Sequence, residues 1–226
     1  DSDTTLKPIN VLINEEDQLD RLFMSNADGN GNAGILDTFV EEETKFGPNK
    51  TFGHLSGFGM VGFKSIDDVD YIGGITYLDM ENIRLTTSPG ADTVEIVTNL
   101  VGLTELMTLE GSDTVIVRNI IGDTIIDLGE GSDTVDVGST SEVLTDIDAS
   151  LRLYGGDALG EYNDVLNIHN HGDPKESGNI LNLEYSKMNG LELDASLDHQ
   201  YTLAVFNQNE PFSFNVRLDS QFITIQ

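Results

Sequence analysis

Three aspartates recur at nearly fixed spacing in the middle of the chain, each with a glycine two positions before it. They are Asp92, Asp113 and Asp133, at intervals of 21 and 20 residues, and the glycines are Gly90, Gly111 and Gly131. Carboxylate and backbone carbonyl oxygens are the ligands that Ca²⁺ prefers, and glycine permits the sharp turns that aim carbonyls at an ion. The repeats therefore predict a calcium site at these corners.

Short β-branched runs flank each corner and must position it. The runs 94–97, 115–117 and 135–137 follow the aspartates, and 104–109 and 124–128 lie between them. A period of about 20 residues built from such runs is typical of a stacked β-solenoid. We predict an all-β fold, a right-handed parallel β-solenoid with about 20 residues per coil. Equivalent residues would then stack about 4.8 Å apart, with Val94, Val115 and Val135 inside and the aspartates at a corner.

A column of stacked aspartates creates an electrostatic conflict. Two carboxylates about 5 Å apart repel by about 3 kcal/mol at an effective dielectric constant near 20. A shared Ca²⁺ would remove that repulsion. The alternative is a turn without metal, in which each Asp side chain caps nearby N–H groups. Three copies in register, on a chain with 40 acidic and 11 basic residues, favour the ion.

The composition narrows the classes of function. A formal net charge of −29 argues against nucleic acid or an anionic membrane surface as a partner. The sequence contains no Cys, which excludes disulfides and thiolate metal sites, and 38% hydrophobic residues suffice for a packed core. It contains neither a nucleophile elbow nor a phosphate-binding glycine loop with its Lys, so we predict no catalytic residues, no enzyme activity and no cofactor other than Ca²⁺.

The third copy of the repeat carries a family resemblance. Residues 128–136 resemble the glycine-rich nonapeptide of RTX-type calcium-binding proteins. The matching positions are Gly129, Gly131, Asp133 and Val135, whereas Leu128 stands where the first glycine belongs. The resemblance covers roughly residues 88–168. It implies a secreted or cell-surface protein, often an adhesin or a module attached to another activity.

Two further stretches carry possible calcium ligands. A split copy of the repeat contains Gly156, Asp157 and Asp164. A separate Asn- and Gly-rich stretch places oxygen ligands at the spacing of a twelve-residue calcium loop, with Asn26, Asp28, Asn30, Asn32 and Asp37. A metal-free turn rich in Gly and Asn is the alternative for this second stretch.

We therefore predict a calcium-binding structural or adhesive repeat module that acts outside the cell. Residues 1–87 would form N-terminal β coils with an irregular insertion, 88–168 the regular repeat coils, and 169–226 a cap or the next repeat. Its partners would be calcium, surface polysaccharide or neighbouring repeats of a longer protein. The alternatives are a carbohydrate-binding or polysaccharide-degrading β-helix, whose basic groups would come from Arg84, Arg118 and Arg152, and an ice-binding solenoid.

Overall fold

The protein is built from β-strands joined by turns. The computed structural model describes residues 9–12, 19–27, 31–60, 63–66, 69–141, 144, 146–155, 164–169, 180–186, 190–196, 200–206, 212–217 and 222–225. The strands, numbered in chain order, are β1 (Ile9–Leu12), β2 (Arg21–Ser25), β3 (Ala33–Thr44), β4 (Gly47–Gly57), β5 (Phe63–Ile66), β6 (Val69–Ile72), β7 (Ile75–Leu78), β8 (Asn82–Thr86), β9 (Thr93–Ile96), β10 (Leu103–Met107), β11 (Thr114–Val117), β12 (Asp123–Asp127), β13 (Thr134–Val137), β14 (Leu151–Tyr154), β15 (Asp164–His169), β16 (Ile180–Ser186), β17 (Gly190–Ser196), β18 (Gln200–Phe206), β19 (Phe212–Arg217) and β20 (Phe222–Ile225).

These strands form two large sheets and one small one. Sheet A has the order β1-β7-β4-β3-β9-β11-β13-β15-β19, and sheet B has the order β2-β8-β10-β12-β14-β18-β17-β16-β20. Strands β5 and β6 pair separately as a hairpin. From β8 to β15 the chain alternates between the two large sheets, so each repeat contributes one strand to each sheet. In the part of the chain described, no helix is long and apolar enough to cross a membrane.

The prediction of a single right-handed parallel β-solenoid is wrong, because both large sheets are mixed. In sheet A, β4 runs antiparallel to both β3 and β7, and in sheet B, β17 runs antiparallel to both β16 and β18. Tight turns such as the one at residues 45–46 join adjacent strands, and a connection that short permits only antiparallel pairing. The period of about 20 residues describes the middle of the chain and does not extend to the segments on either side.

In the middle of the chain the repeats stack in parallel and in register. Val115 of β11 is the backbone partner of both Val94 in β9 and Val135 in β13. All three valines are fully buried, so the predicted interior valine ladder is confirmed. Burial alternates residue by residue along β11 and β13, as expected for strands with one face on the core.

The two large sheets share one hydrophobic core. Strands of sheet B contribute a second ladder through paired residues of β8, β10, β12 and β14. Its members are Leu85, Leu106, Ile126 and Leu153, each no more than 5% exposed. These residues belong to the same buried cluster as the valines of sheet A. The core therefore holds the corners between the sheets in a fixed register, and the candidate site lies at one of those corners.

Candidate functional site

The repeated aspartates form one buried column at the start of the sheet A strands. Each lies at the position where a strand of this sheet begins, and the strand register aligns them. The column consists of Asp92, Asp113, Asp133 and Asp164, none more than 2% exposed. The structure therefore confirms the predicted corner ladder and adds Asp164 to it as a fourth rung.

One carboxylate oxygen of each aspartate binds the backbone of the preceding rung. The amide N–H of Asp92 donates to Asp113 Oδ1 at 2.7 Å, and that of Asp113 donates to Asp133 Oδ1 at 2.8 Å. The amide of Asp133 donates to Asp164 Oδ1 at 3.0 Å. These bonds are the N–H caps that the metal-free alternative requires, and they tie successive repeats together. They use only one oxygen of each carboxylate.

The second oxygen distinguishes the rungs. Asp92 Oδ2 accepts hydrogen bonds from the backbone N–H and the hydroxyl of Ser88, both at 2.9 Å. By contrast, Asp113 Oδ2 and Asp133 Oδ2 are buried and accept no hydrogen bond. Buried polar atoms without a partner are rare and destabilising, by about 1–3 kcal/mol for a neutral group and more for a charged one. A ligand or a proton at this position would remove that cost.

Threonine hydroxyls beside the column bind carbonyl oxygens of the following repeat. Thr108 Oγ1 donates its one proton to the carbonyl oxygen of Leu128 at 2.6 Å. The hydroxyl of Thr87, one repeat earlier, donates in the same way to the carbonyl oxygen of Thr108 at 3.0 Å. The threonine side chains therefore link neighbouring repeats.

Burial makes both orphaned carboxylates weak acids. It raises the pKa of Asp133 to about 7, an effect that the charges of Asp164 and Asp113 increase and the Asp113 amide partly offsets. Burial also raises the pKa of Asp113, and there the amide of Asp92 and the hydroxyl of Thr108 offset part of the rise. A positive charge bound between the two rungs would favour the ionised form of both.

This pair offers two carboxylate oxygens without partners, and carboxylate oxygen is a type of ligand that Ca²⁺ prefers. Neighbouring strands lie about 4.8 Å apart, and Ca²⁺ binds oxygen at about 2.3–2.6 Å, so the spacing of the rungs is about twice one calcium–oxygen bond. No group of three or more acidic or His side chains converges on a metal-holding position within the residues that the structure covers. An ion here would therefore take two carboxylate oxygens from Asp113 and Asp133 and complete its shell with backbone carbonyls or water.

Glycine is required where the corners stack most closely. Gly131 has φ 156°, and a Cβ there would lie 1.5 Å from the carbonyl oxygen of Gly111. Gly111 has φ 136°, and its Cβ would lie 2.8 Å from the backbone of Gly90. Gly129 has φ 78°. The predicted glycine turns are thus present, and close backbone stacking explains them without reference to an ion.

Of the ligands predicted for the Asn-rich calcium loop, the structure describes Asn26, Asn32 and Asp37. Asn32 lies at the end of the aspartate column, where its amide donates to Asp92 Oδ1 at 2.5 Å. Asp37 lies five residues further along β3, opposite His54, and accepts a bond from the amide of Thr38. Asn26 is half-buried, and its backbone N–H donates to the carbonyl oxygen of Thr86. The remaining predicted ligands Asp28, Asn30, Gly156 and Asp157 lie outside the described residues.

The three arginines considered for a polysaccharide-degrading groove lie in two different sheets. Arg84 and Arg152 belong to strands β8 and β14 of sheet B. Arg118 directly follows β11 of sheet A, where its Nε donates to Glu95 at 3.0 Å. Arg84 and Arg152 therefore lie in one sheet, and Arg118 lies at the end of a strand of the other.

Sequence analysis missed two polar residues that organise the turns. Ser88 lies four residues before Asp92, and its amide and hydroxyl both donate to Asp92 Oδ2. Asn99 is fully buried, and its side-chain Nδ2 donates to the hydroxyls of Thr104 and Thr124 and to the carbonyl oxygen of Gly122. Its Oδ1 accepts bonds from the amides of Ile121 and Gly122. An Asn in a turn followed by Thr at the same position of successive repeats was the available signal.

Comparison with known proteins does not assign the chain to a family. No family model matches it, and no curated protein or solved structure does so either. The resemblance to RTX-type repeats therefore remains a prediction, and the functional argument depends on the aspartate column itself.

Proposed function

We propose that this chain is a calcium-binding structural module of a secreted or cell-surface protein, with an adhesive or scaffolding role and no catalysis. The observation that carries the proposal is the pair of buried carboxylate oxygens, Asp113 Oδ2 and Asp133 Oδ2, that accept no hydrogen bond. The net charge of −29 supports it, because bound cations reduce the self-repulsion of a compact acidic chain.

Asp113 and Asp133 would hold the ion, and their other oxygens would keep the carboxylates oriented through the amides of Asp92 and Asp113. When bound, Ca²⁺ would supply positive charge between two carboxylates that otherwise repel. These carboxylates become neighbours only when the repeats stack, because they belong to different strands. The free energy of calcium binding therefore becomes free energy of folding.

This linkage favours a location outside the cell. Calcium sites of extracellular modules typically bind with dissociation constants of about 10⁻⁴–10⁻³ M, which free cytosolic calcium does not reach. A module stabilised in this way folds fully only after export. The resemblance to RTX-type repeats points to the same location. Surface polysaccharide or neighbouring repeats of a longer chain are the partners that we propose for it.

Thermal unfolding with calcium and with chelator tests the proposal. At a calcium concentration about 100 times the dissociation constant, binding adds about 2.7 kcal/mol, which corresponds to a rise in Tm of about 5–10 °C for a chain of this size. Mg²⁺ should substitute poorly, because it requires shorter bonds and octahedral geometry. Equal Tm values in calcium and chelator would leave the aspartates as N–H caps alone and refute the proposal.

A further inference from the structure

The rungs of the aspartate column differ four residues before each aspartate. Ser88, Leu109 and Gly129 occupy this position before Asp92, Asp113 and Asp133. Ser88 gives two hydrogen bonds to Asp92 Oδ2, one from its amide and one from its hydroxyl, both at 2.9 Å. Because the amide of Asn32 also donates to Asp92 Oδ1 at 2.5 Å, both oxygens of this carboxylate have protein donors.

The backbone differs at the same position. Leu109 has φ 71° and Gly129 has φ 78°, both in the left-handed region, whereas the φ angle of Ser88 is not positive. The left-handed conformation is unfavourable for leucine. Leu109 and Gly129 nevertheless have this conformation. The oxygens Asp113 Oδ2 and Asp133 Oδ2, which correspond to the Asp92 oxygen that Ser88 binds, have no donor. Strain beside an unsatisfied buried group suggests a functional reason for both.

We propose that Ser88 takes the place of a cation at the Asp92 rung, so that the column binds a cation between Asp113 and Asp133 and not at every corner. This inference rests on the proposed function and makes it more specific. The donors around Asp92 offset its charge through hydrogen bonds to a carboxylate, which are the stronger kind. At the next two rungs, Asp113 Oδ2 and Asp133 Oδ2 lack such donors and precede neighbouring strands that pair in register, so these two rungs would share the ion.

Calcium titrations of matched variants test this assignment. The backbone amide signals of residues 92, 113 and 133 report on the column by NMR, independently of other sites that the chain contains. Each of Asp92→Asn and Asp133→Asn removes one charge from a buried rung. We expect Asp133→Asn to lower the calcium affinity measured from these signals by roughly tenfold or more. It removes a charged ligand, and loss of even a residue that orients a ligand typically costs about 10–100-fold in metal affinity. Asp92→Asn changes only the side chain and keeps the backbone N–H that donates to Asp113 Oδ1, so it should leave the affinity within about twofold of the wild-type value.

The possible outcomes separate this inference from the proposed function. If the wild-type column does not respond to calcium, both are refuted. If calcium binds and both variants weaken it equally, the proposed function stands and the special role of Ser88 is wrong. If only Asp133→Asn weakens it, both are supported.

A second pair of variants tests the role of the serine without removing a carboxylate. Leu109→Ser introduces at the Asp113 rung the residue that Ser88 provides at the Asp92 rung, and Leu109→Ala removes the leucine side chain without adding a hydroxyl. We expect the calcium affinity of the serine variant to be roughly tenfold lower than that of the alanine variant, because the new hydroxyl competes for Asp113 Oδ2. Equal affinities in the two variants would overturn the inference, even if Asp92→Asn proved too unstable to study.

Discussion

The central repeats and the β3–β4 hairpin satisfy their buried polar groups in different ways, although both contribute strands to sheet A. In the hairpin, His54 is 9% exposed and its Nδ1 lies 3.0 Å from the hydroxyl of Thr76. Burial lowers the pKa of His54, and a hydrogen bond with the backbone of Gly73 and the charge of Asp37 offset part of this effect. In the repeats, Asp113 and Asp133 are acids whose second oxygens have no partner.

Strand direction and repetition explain the difference. Antiparallel pairing in the hairpin does not bring equivalent residues of a repeat together, and it places Asp37 opposite His54. Parallel pairing of repeats in register places like residues together, so Asp113 has Asp133 as its neighbour. An acid in such a column cannot gain a complementary side chain from the next repeat. It must share a proton or a cation, or gain a donor from a residue that breaks the pattern, as Asp92 gains Ser88.

The largest expected difference between the two regions follows from glycine packing. Gly131→Ala places a methyl group 1.5 Å from the carbonyl oxygen of Gly111, so a neighbouring backbone must move. We expect a loss of about 4 kcal/mol or more in the free energy of unfolding, measured by urea denaturation. Gly59 is the matched control, because it has φ 74° and open space around its added Cβ. Gly59→Ala should cost about 1–2 kcal/mol, the penalty for left-handed backbone alone. Similar losses in both variants would show that the repeats are not closely stacked.

The same distinction separates what the sequence could predict from what it could not. The column of Asp92, Asp113 and Asp133 was predictable, because residues repeated every 20 or 21 positions must align when the strands pair in register. The mixed sheets were not, because the segments outside the repeats have no fixed period, and their turns determine strand direction locally. The pattern could not show which aspartates lack a partner, since this depends on backbone conformation at Leu109 and Gly129.

The two regions should also respond to pH in opposite directions when calcium is removed. Burial raises the pKa of Asp133 to about 7, so its contribution to stability is present below its unfolded pKa of about 4 and is lost as the pH rises through about 7. Burial lowers the pKa of His54, so its contribution is present above about 6.5 and is lost as the pH falls through the folded value.

Two variants separate these contributions in chelator. Relative to wild type, Asp133→Asn should gain stability as the pH rises from about 5 to about 8, because it removes a carboxylate whose ionised form is unfavourable in the fold. Relative to wild type, His54→Gln should gain stability as the pH falls over the same range. The measurement is the free energy of unfolding at each pH. Parallel curves for wild type and Asp133→Asn would contradict the buried, orphaned state of this carboxylate.

The smallest expected effect concerns Asp136, which lies in β13 between two buried valines. It lies on the outer face of β13, but its Oδ1 accepts bonds from Asn167 Nδ2 at 2.9 Å and His169 Nε2 at 3.2 Å. Its side chain is 30% exposed, and exposed ion pairs contribute about 0.2–1 kcal/mol. Asp136→Asn should therefore cost at most about 1 kcal/mol in the free energy of unfolding. It should leave the calcium-dependent rise in Tm unchanged.

Glu130→Gln completes this comparison, because Glu130 is exposed, lies at the same corner as Asp133 and carries the same charge. Asp133→Asn, Asp136→Asn and Glu130→Gln each remove one negative charge, so net charge alone predicts the same change for all three. A cation held by the buried column predicts instead that only Asp133→Asn reduces the difference in Tm between calcium and chelator. If the three variants reduce this difference equally, calcium acts by screening the acidic surface and the proposed site is wrong.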